Sequence, residues 1–485
     1  MVAIPFIYFG LLLIFNTKRN GFFNIGTYIL ILYTFISFMS IILVSGNYYD
    51  WSVRDYPMQP YAPVLYITLL SICIFPFLRK MPKIDPRLSP KAEKLLDYMT
   101  YGYFIIFCII FAVSLTRIQE VLTSNALAEI RNEQYTGDAE AFYNHLQGIP
   151  RYICALCQIF APSANIMTLI TMYNLAFRKK GFFYNVMGLL GSMSMLLVAI
   201  NIADRSNFVY WVLFLGLSIF IFYPYLSKKK KLTVTIVVSI VLVAIFSYFM
   251  AVTSDRFEDR TEGMEGGLIS YAGQSFINFC NFIEYVRPAN SLCELFPLTT
   301  FLLGGAGYFE VAETVQSDVS LFIPVFSTFL GYIYSISGGL VLAVFVLFYN
   351  RITNYFITTA RKKLTLGSIV RIWALSLVVV LGLFGYYYSF ANCTIALIVW
   401  FIISYILTPP ESKKKGISKD VDNKNDANKE TRRIKWEKYC IQLSGSIENS
   451  EVSSRVGFLR CNANDMAYTS GSRASAGSVE ELNYT

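Results

Sequence analysis

Uninterrupted apolar runs, not an alternation of apolar and polar positions, dominate the first 408 residues of the chain. In hydrocarbon every backbone polar group must be paired within the chain, so runs of this length predict helices, and about 20 residues suffice for one crossing. Eleven runs qualify: 2–16, 24–46, 62–78, 98–116, 152–177, 182–203, 207–226, 232–252, one inside 321–349, 370–390 and 393–408. The run 321–349, LFIPVFSTFLGYIYSISGGLVLAVFVLFY, is about 43 Å long as a helix, more than a core of roughly 30 Å requires. Gly331, Ser335, Ser337, Gly338 and Gly339 offer a break. They predict an outer, interfacial or re-entrant first half, sheltered by protein, and one span from about Ile336. Beyond 408 the pattern stops. Pro409-Pro410 opens a polar tail, 409–485, rich in Lys, Asp, Asn and Ser, which predicts disorder with a short surface helix around RRIKWEKYCIQL.

Composition agrees: 55% of residues are hydrophobic, 16% aromatic and 15% charged, the profile of an all-α polytopic membrane protein. Basic residues concentrate on the cytoplasmic side, so alternate loops give the orientation. The set 17–23, 79–97, 178–181, 227–231 and 350–369 holds 19 Lys and Arg in 55 residues. The opposite set, 47–61, 117–151, 204–206, 253–320 and 391–392, holds 8 in 123. The expected topology is therefore about eleven transmembrane helices, N-out and C-in, with residues 1–408 as the membrane domain and 409–485 as a cytoplasmic tail. The first run precedes Lys18 and Arg19, whereas a secretory signal puts its charge ahead of its apolar core, so it is expected to stay as a helix. The net charge of +9 arises from inner anchors such as RKK at 178–180 and KKKK at 228–231, and implies no nucleic-acid partner.

Of the 19 inner basic residues 13 are lysine, yet all 8 outer ones are arginine: Arg54, Arg117, Arg131, Arg151, Arg205, Arg256, Arg260 and Arg287. Arginine's planar fork grips phosphate with two parallel hydrogen bonds, while lysine is a point charge that suffices for orientation. Either translocation disfavours outward lysine and these arginines pair with outer acids, or some of them bind phosphate. The second reading fits best for Arg205, Arg256 and Arg260, which lie close to membrane ends. Arg205 sits beside Asp204 in IADRSNFVYWVLFLG; an acid there orients or neutralises its neighbour.

The two long outer segments, 117–151 and 253–320, are the expected seat of function. The first contains IQEVLTSNALAEIRNEQY, near helical spacing and suited to lie on the membrane surface, and His145, the single histidine of the chain. The second passes from TSDRFEDRTEG through glycines to SYAGQSFINF and FLLGGAGYFE. Aromatic rings stack on pyranose faces and amides read hydroxyls, which nominates Tyr271, Gln274 and Asn278 as substrate contacts, with Asp204 and Arg287 beside them in the substrate-binding set; a headgroup-level loop has the same composition. Cys154 and Cys157 read as a packed pair in an apolar helix. Cys280 and Cys293 are either a disulfide or two thiols. The chain has no P-loop, no zinc spacing and no Ser-His-Asp arrangement, so transport driven by its own ATP hydrolysis is excluded, and no metal or cofactor is called for.

DRSNFVYWVLFLG, DRFEDRTEG, SYAGQSFINF and VFSTFLGYIYSISGGL together resemble the bacterial oligosaccharide repeat-unit polymerases, the Wzy-type O-antigen polymerases; the likeness covers the layout of most of 1–408 and is specific mainly over 205–345. It implies a GT-C-like helical fold related to the O-antigen ligases, in the bacterial cytoplasmic membrane. It implies metal-independent glycosyl transfer on the outer face, with undecaprenyl-diphosphate-linked oligosaccharide as substrate and the bilayer, a chain-length regulator and a flippase as partners. Arg205, Arg256 and Arg260 would hold the diphosphate, with Glu258 in the catalytic set. A family motif of arginine, ten residues and glycine fits Arg205 and Gly216, but Arg256 to Gly267, Arg371 to Gly382 and Arg460 to Gly471 fit too, so location singles out Arg205. The ligase branch uses a histidine in its large outer loop, and 253–320 has none; a base there would be an acid such as Asp255, Glu258 or Glu284.

Overall fold

The computed structural model describes residues 1–46, 48, 58–123, 143, 144, 146–201, 206–257, 263–305, 311, 312, 314–317 and 326–409. The chain divides after Pro410; the tail, 411–485, lies outside the described residues. The helices are α1 (Ala3–Asn20), α2 (Ile25–Ser45), α3 (Tyr61–Ile74), α4 (Pro90–Thr123), α5 (Ile149–Phe160), α6 (Ile166–Phe177), α7 (Phe182–Ser192), α8 (Ser194–Asn201), α9 (Ser206–Phe222), α10 (Lys228–Phe257), α11 (Gly263–Tyr285), α12 (Pro297–Leu302), α13 (Phe329–Ala360), α14 (Leu366–Leu381) and α15 (Ala391–Ile406).

Among the described residues six helical segments are long and apolar enough to cross a membrane: Ile25–Ser45, Tyr61–Leu78, Pro90–Leu115, Ile149–Phe177, Ser206–Tyr225 and Phe329–Ala360. The pair α7 and α8, bent by 42°, makes a seventh if counted as one span. The protein is thus a helical, multi-pass membrane protein, with fewer qualifying spans than the eleven expected. Helices occupy the remaining expected runs, but α14 and α15 are shorter apolar helices of 16 residues each.

Helix α2 packs along both α1 and α11, α4 against α7 and α8, and α14 against α15. Phe214, Trp373 and Trp400 meet at centroid distances of 5.1–5.9 Å, and the Trp400 indole donates to the Ser163 carbonyl at 2.8 Å. That pairing is what an indole N–H in a dry core requires. The ion pairs among the described residues gather at one end. There Asp97 draws in Arg178 and Lys180, both at 2.9 Å, and Asp85 draws in Arg87 at 2.9 Å and Lys363 at 3.2 Å. Gly216 is a packing residue: an added Cβ would stand 2.5 Å from the Tyr28 hydroxyl, which donates to the Leu213 carbonyl at 3.1 Å.

Three expectations about the connections change. Helix α4 runs to Thr123 and α10 to Phe257, so both long segments begin as helix. Residues 263–285, expected as part of a long loop, form helix α11, much of it buried in the bundle; its Gly273, which reads as loop, instead permits close packing. A two-residue antiparallel ladder, β1 (Val286–Arg287) with β2 (Gln316–Ser317), adds a trace of sheet to the all-α chain.

The break anticipated in 321–349 falls at Gly338, whose φ of 86° and ψ of 169° interrupt α13. In a straight helix Phe329 and Phe345 would be about 24 Å apart, yet their ring centroids are 6.3 Å apart. The chain therefore doubles back at Gly338 into a short first arm and a long second arm. The first arm is buried, and its start is held by the Phe329 amide donating to the Gly382 carbonyl at 2.8 Å.

Candidate functional site

The polar material converges where α11 meets the first arm of α13. One side of α11 is fitted to the bundle. An added Cβ on Gly273 would lie 2.6 Å from the Met39 carbonyl oxygen, and Ser40 donates to the Gly273 carbonyl at 2.6 Å. Tyr66 of α3 packs on Phe276 and Phe279 at 4.9 and 5.3 Å, and Glu284 accepts from the Gln59 amide at 3.4 Å.

Tyr271, Gln274 and Asn278, three and then four residues apart, share the other side. Tyr271 meets Phe326 edge to face at 5.2 Å, and the Asn278 amide donates to the Phe326 carbonyl at 2.8 Å and to Gln274 Oε1 at 3.3 Å. Gln274 and Asn278 are buried, so here they tie the approach to α13 against α11. Around this junction several buried polar atoms have no hydrogen-bond partner among the described residues. They are the Ser270 and Ser275 hydroxyls, Asn278 Oδ1 and Asn281 Nδ2 on α11, and the Ser327 and Thr328 hydroxyls just before the first arm. Leaving such a group dry and unpaired costs about 1–3 kcal/mol, and native proteins fill these places with water or ligand. A hydroxyl-rich ligand supplies both donors and acceptors.

The loop after β1 closes over the Gly338 bend. The Ala289 and Ser291 amides donate to the Ser335 and Ile336 carbonyls at 3.3 and 2.9 Å, and the Ser337 hydroxyl donates to the Ser291 carbonyl at 2.7 Å. These bonds satisfy carbonyls that the break frees from the helix ladder. Three residues further on, Glu294 is fully buried, and neither carboxylate oxygen has a partner among the described residues. Burial holds its carboxyl well above the usual carboxylate range, because the charged form is poorly solvated there. Tyr386 lies within electrostatic reach of this carboxyl. Sequence reasoning passed over Glu294; the available signal was a lone acid in the apolar stretch SLCELF.

Asp204, Arg205, Glu258 and Arg260 lie outside the described residues, as do His145 and most of the helix expected over 118–135. Arg256 is in the last turn of α10, where only the backbone is described, and Asp255 is in the same position. Arg287 is exposed on β1, away from the buried face of α11. Cys280 and Cys293 are two free, buried thiols in separate clusters, which excludes a disulfide between them in this structure. Cys154 and Cys157 are buried and free in α5, a packed pair. Comparisons of the chain with protein-family models, with curated proteins and with solved structures return no match.

Proposed function

We propose that this protein polymerises undecaprenyl-diphosphate-linked oligosaccharide repeat units into O-antigen, capsule or exopolysaccharide on the outer face of a bacterial cytoplasmic membrane. What supports the reading is that the 8 basic residues of the loops expected to face outward are all arginine, together with a junction rich in buried hydroxyls and amides that have no partner among the described residues. The first suits a lipid diphosphate, the second a sugar. In this reading the fold is GT-C-like, N-out and C-in, and a chain-length regulator and a flippase are its working partners.

In the reaction the acceptor hydroxyl oxygen forms a bond to the anomeric carbon, and the bond from that carbon to the diphosphate oxygen breaks. Undecaprenyl diphosphate departs with the electron pair. The hydroxyl proton passes to a carboxylate, for which Glu258 and Glu284 are candidates, or to solvent. A departing diphosphate needs fixed positive charge more than an acid, which Arg205, Arg256 and Arg260 supply. A positioned carboxylate adds about 10²–10⁴-fold.

Two other readings compete. A lipid-linked oligosaccharide transporter is favoured by the polar row of α11 lying inside the bundle, since transporters line a central cavity with polar groups. An O-antigen ligase shares the fold and differs by its loop histidine. Replacing Arg205 or Arg260 by lysine in cells tests the polymerase reading: chain growth should stop while the protein still inserts. Normal long-chain polysaccharide from both variants would remove the arginines from the mechanism.

A further inference from the structure

A groove of about 490 Å³ opens at the basic end of the bundle, lined by Arg79, Leu347, Asn350, Arg351, Asn354 and Thr358. Arg79 follows the 3-10 turn Phe75–Leu78 that ends α3, and the other five residues come from the second arm of α13. The floor is fixed by amides: Asn350 Nδ2 donates to the Ile72 carbonyl at 2.5 Å, and Asn354 Nδ2 donates to Asn350 Oδ1. Asn354 Oδ1 is buried and has no partner among the described residues.

The two arginines differ from their neighbours at this end. Arg87 and Lys363 are matched by Asp85, and Arg178 and Lys180 by Asp97. Arg79 makes one long contact to the Thr358 hydroxyl, at 3.5 Å, and neither Arg79 nor Arg351 has an acidic partner among the described residues. Two exposed guanidinium groups over an amide floor form a site for a phosphate oxyanion.

The groove is also continuous with exposed apolar surface. Leu347 at its edge is exposed, and so are Leu340, Val344 and Phe348 on the same arm. From Leu340 to Arg351 the helix rises about 16 Å, roughly half of a core about 30 Å thick, which is the depth of one leaflet. The apolar stripe ends at the arginines, where headgroups begin.

We infer that this groove binds an anionic phospholipid of the inner leaflet. The phosphate diester sits between Arg79 and Arg351, and an acyl chain lies along Leu340, Val344 and Leu347. The net negative charge of phosphatidylglycerol is what the two exposed guanidinium groups, which have no acidic partner among the described residues, select over a zwitterionic phosphatidylcholine.

The test uses the full chain, purified in detergent and stripped of lipid, with its melting temperature followed as lipid is added. Phosphatidylglycerol should raise the transition saturably, while phosphatidylcholine and inorganic phosphate should not. Arg79→Gln and Arg351→Gln should each weaken half-saturation by roughly tenfold or more, the loss expected for a charge-assisted contact. Lys228→Gln with Lys229→Gln, at the same end but away from the groove, should leave it unchanged. Native mass spectrometry supplies a readout independent of stability: the Arg79→Gln, Arg351→Gln double variant should lose a retained phosphatidylglycerol. An equal response to phosphatidylcholine would mean a general lipid effect, and an equal response to inorganic phosphate an anion site without a lipid. Either result, or undiminished binding by the double variant, overturns the proposal.

Discussion

Glu294 offers a sharp test of the buried site because its two oxygens are fully enclosed and unpartnered among the described residues. Methionine matches the length of its side chain and removes both polar atoms. Each unsatisfied group costs about 1–3 kcal/mol, so Glu294→Met should raise stability by about 1–3 kcal/mol after allowance for imperfect repacking. The pH dependence has a definite sign. Burial raises the folded pKa, whereas an unfolded glutamate titrates at about 4.3. Between those values the folded protein keeps a proton that the unfolded chain has released, so stability falls as pH rises above about 4.3 and levels off beyond the folded pKa. The slope approaches about 1.4 kcal/mol per pH unit for one group. Unfolding in detergent, followed by fluorescence of the 5 tryptophans, can be compared for wild type, Glu294→Met and Glu294→Gln across pH 5 to 8. The glutamine variant cannot ionise and should lose this component of the slope without the full gain in stability. A slope unchanged in both variants, or a methionine variant destabilised by more than about 2 kcal/mol, would mean that Glu294 is charged and paired, and would refute the reasoning.

Other substitutions probe the packing that positions the site. Gly338→Ala places a side chain at a φ of 86° and ψ of 169°, a region open essentially to glycine, and should destabilise by about 1–3 kcal/mol in the same unfolding assay. Gly216→Ala drives a methyl group into the Tyr28 hydroxyl, 2.5 Å away; a loss of about 1–3 kcal/mol is expected, and relief by Tyr28→Ala in the same background would attribute it to that contact. Without reductant, Cys280 and Cys293 should both alkylate with maleimide in denaturant and resist it in the folded protein, as buried free thiols do.

The spans were legible because hydrocarbon imposes a length and a polarity that α2, α3, α4 and α9 all obey. So was a break within 321–349, since a run too long for one crossing and containing Ser-Gly-Gly must break; its place at Gly338 and the doubling back come from the structure. Helix α11 was not legible. Its Gly273 and its amides resemble a surface loop until α2 is seen lying against them, where the missing Cβ admits the Met39 carbonyl and Ser40 finds an acceptor. The same amides that suggested sugar contacts are engaged in the junction with Phe326. Glu294 escaped notice because local sequence does not reveal that a loop acid will be covered by the chain around it. Arg205 and Arg260 were singled out by counting charges across loops, and they lie outside the described residues.

The most direct measurement gives purified protein undecaprenyl-diphosphate-linked repeat units and resolves the products by length. The polymerase reading predicts a ladder that extends with time, releases undecaprenyl diphosphate and is lost in Arg205→Lys. A single transfer to an acceptor would indicate a ligase, and movement of the lipid-linked oligosaccharide across the membrane without any new glycosidic bond would contradict the account outright.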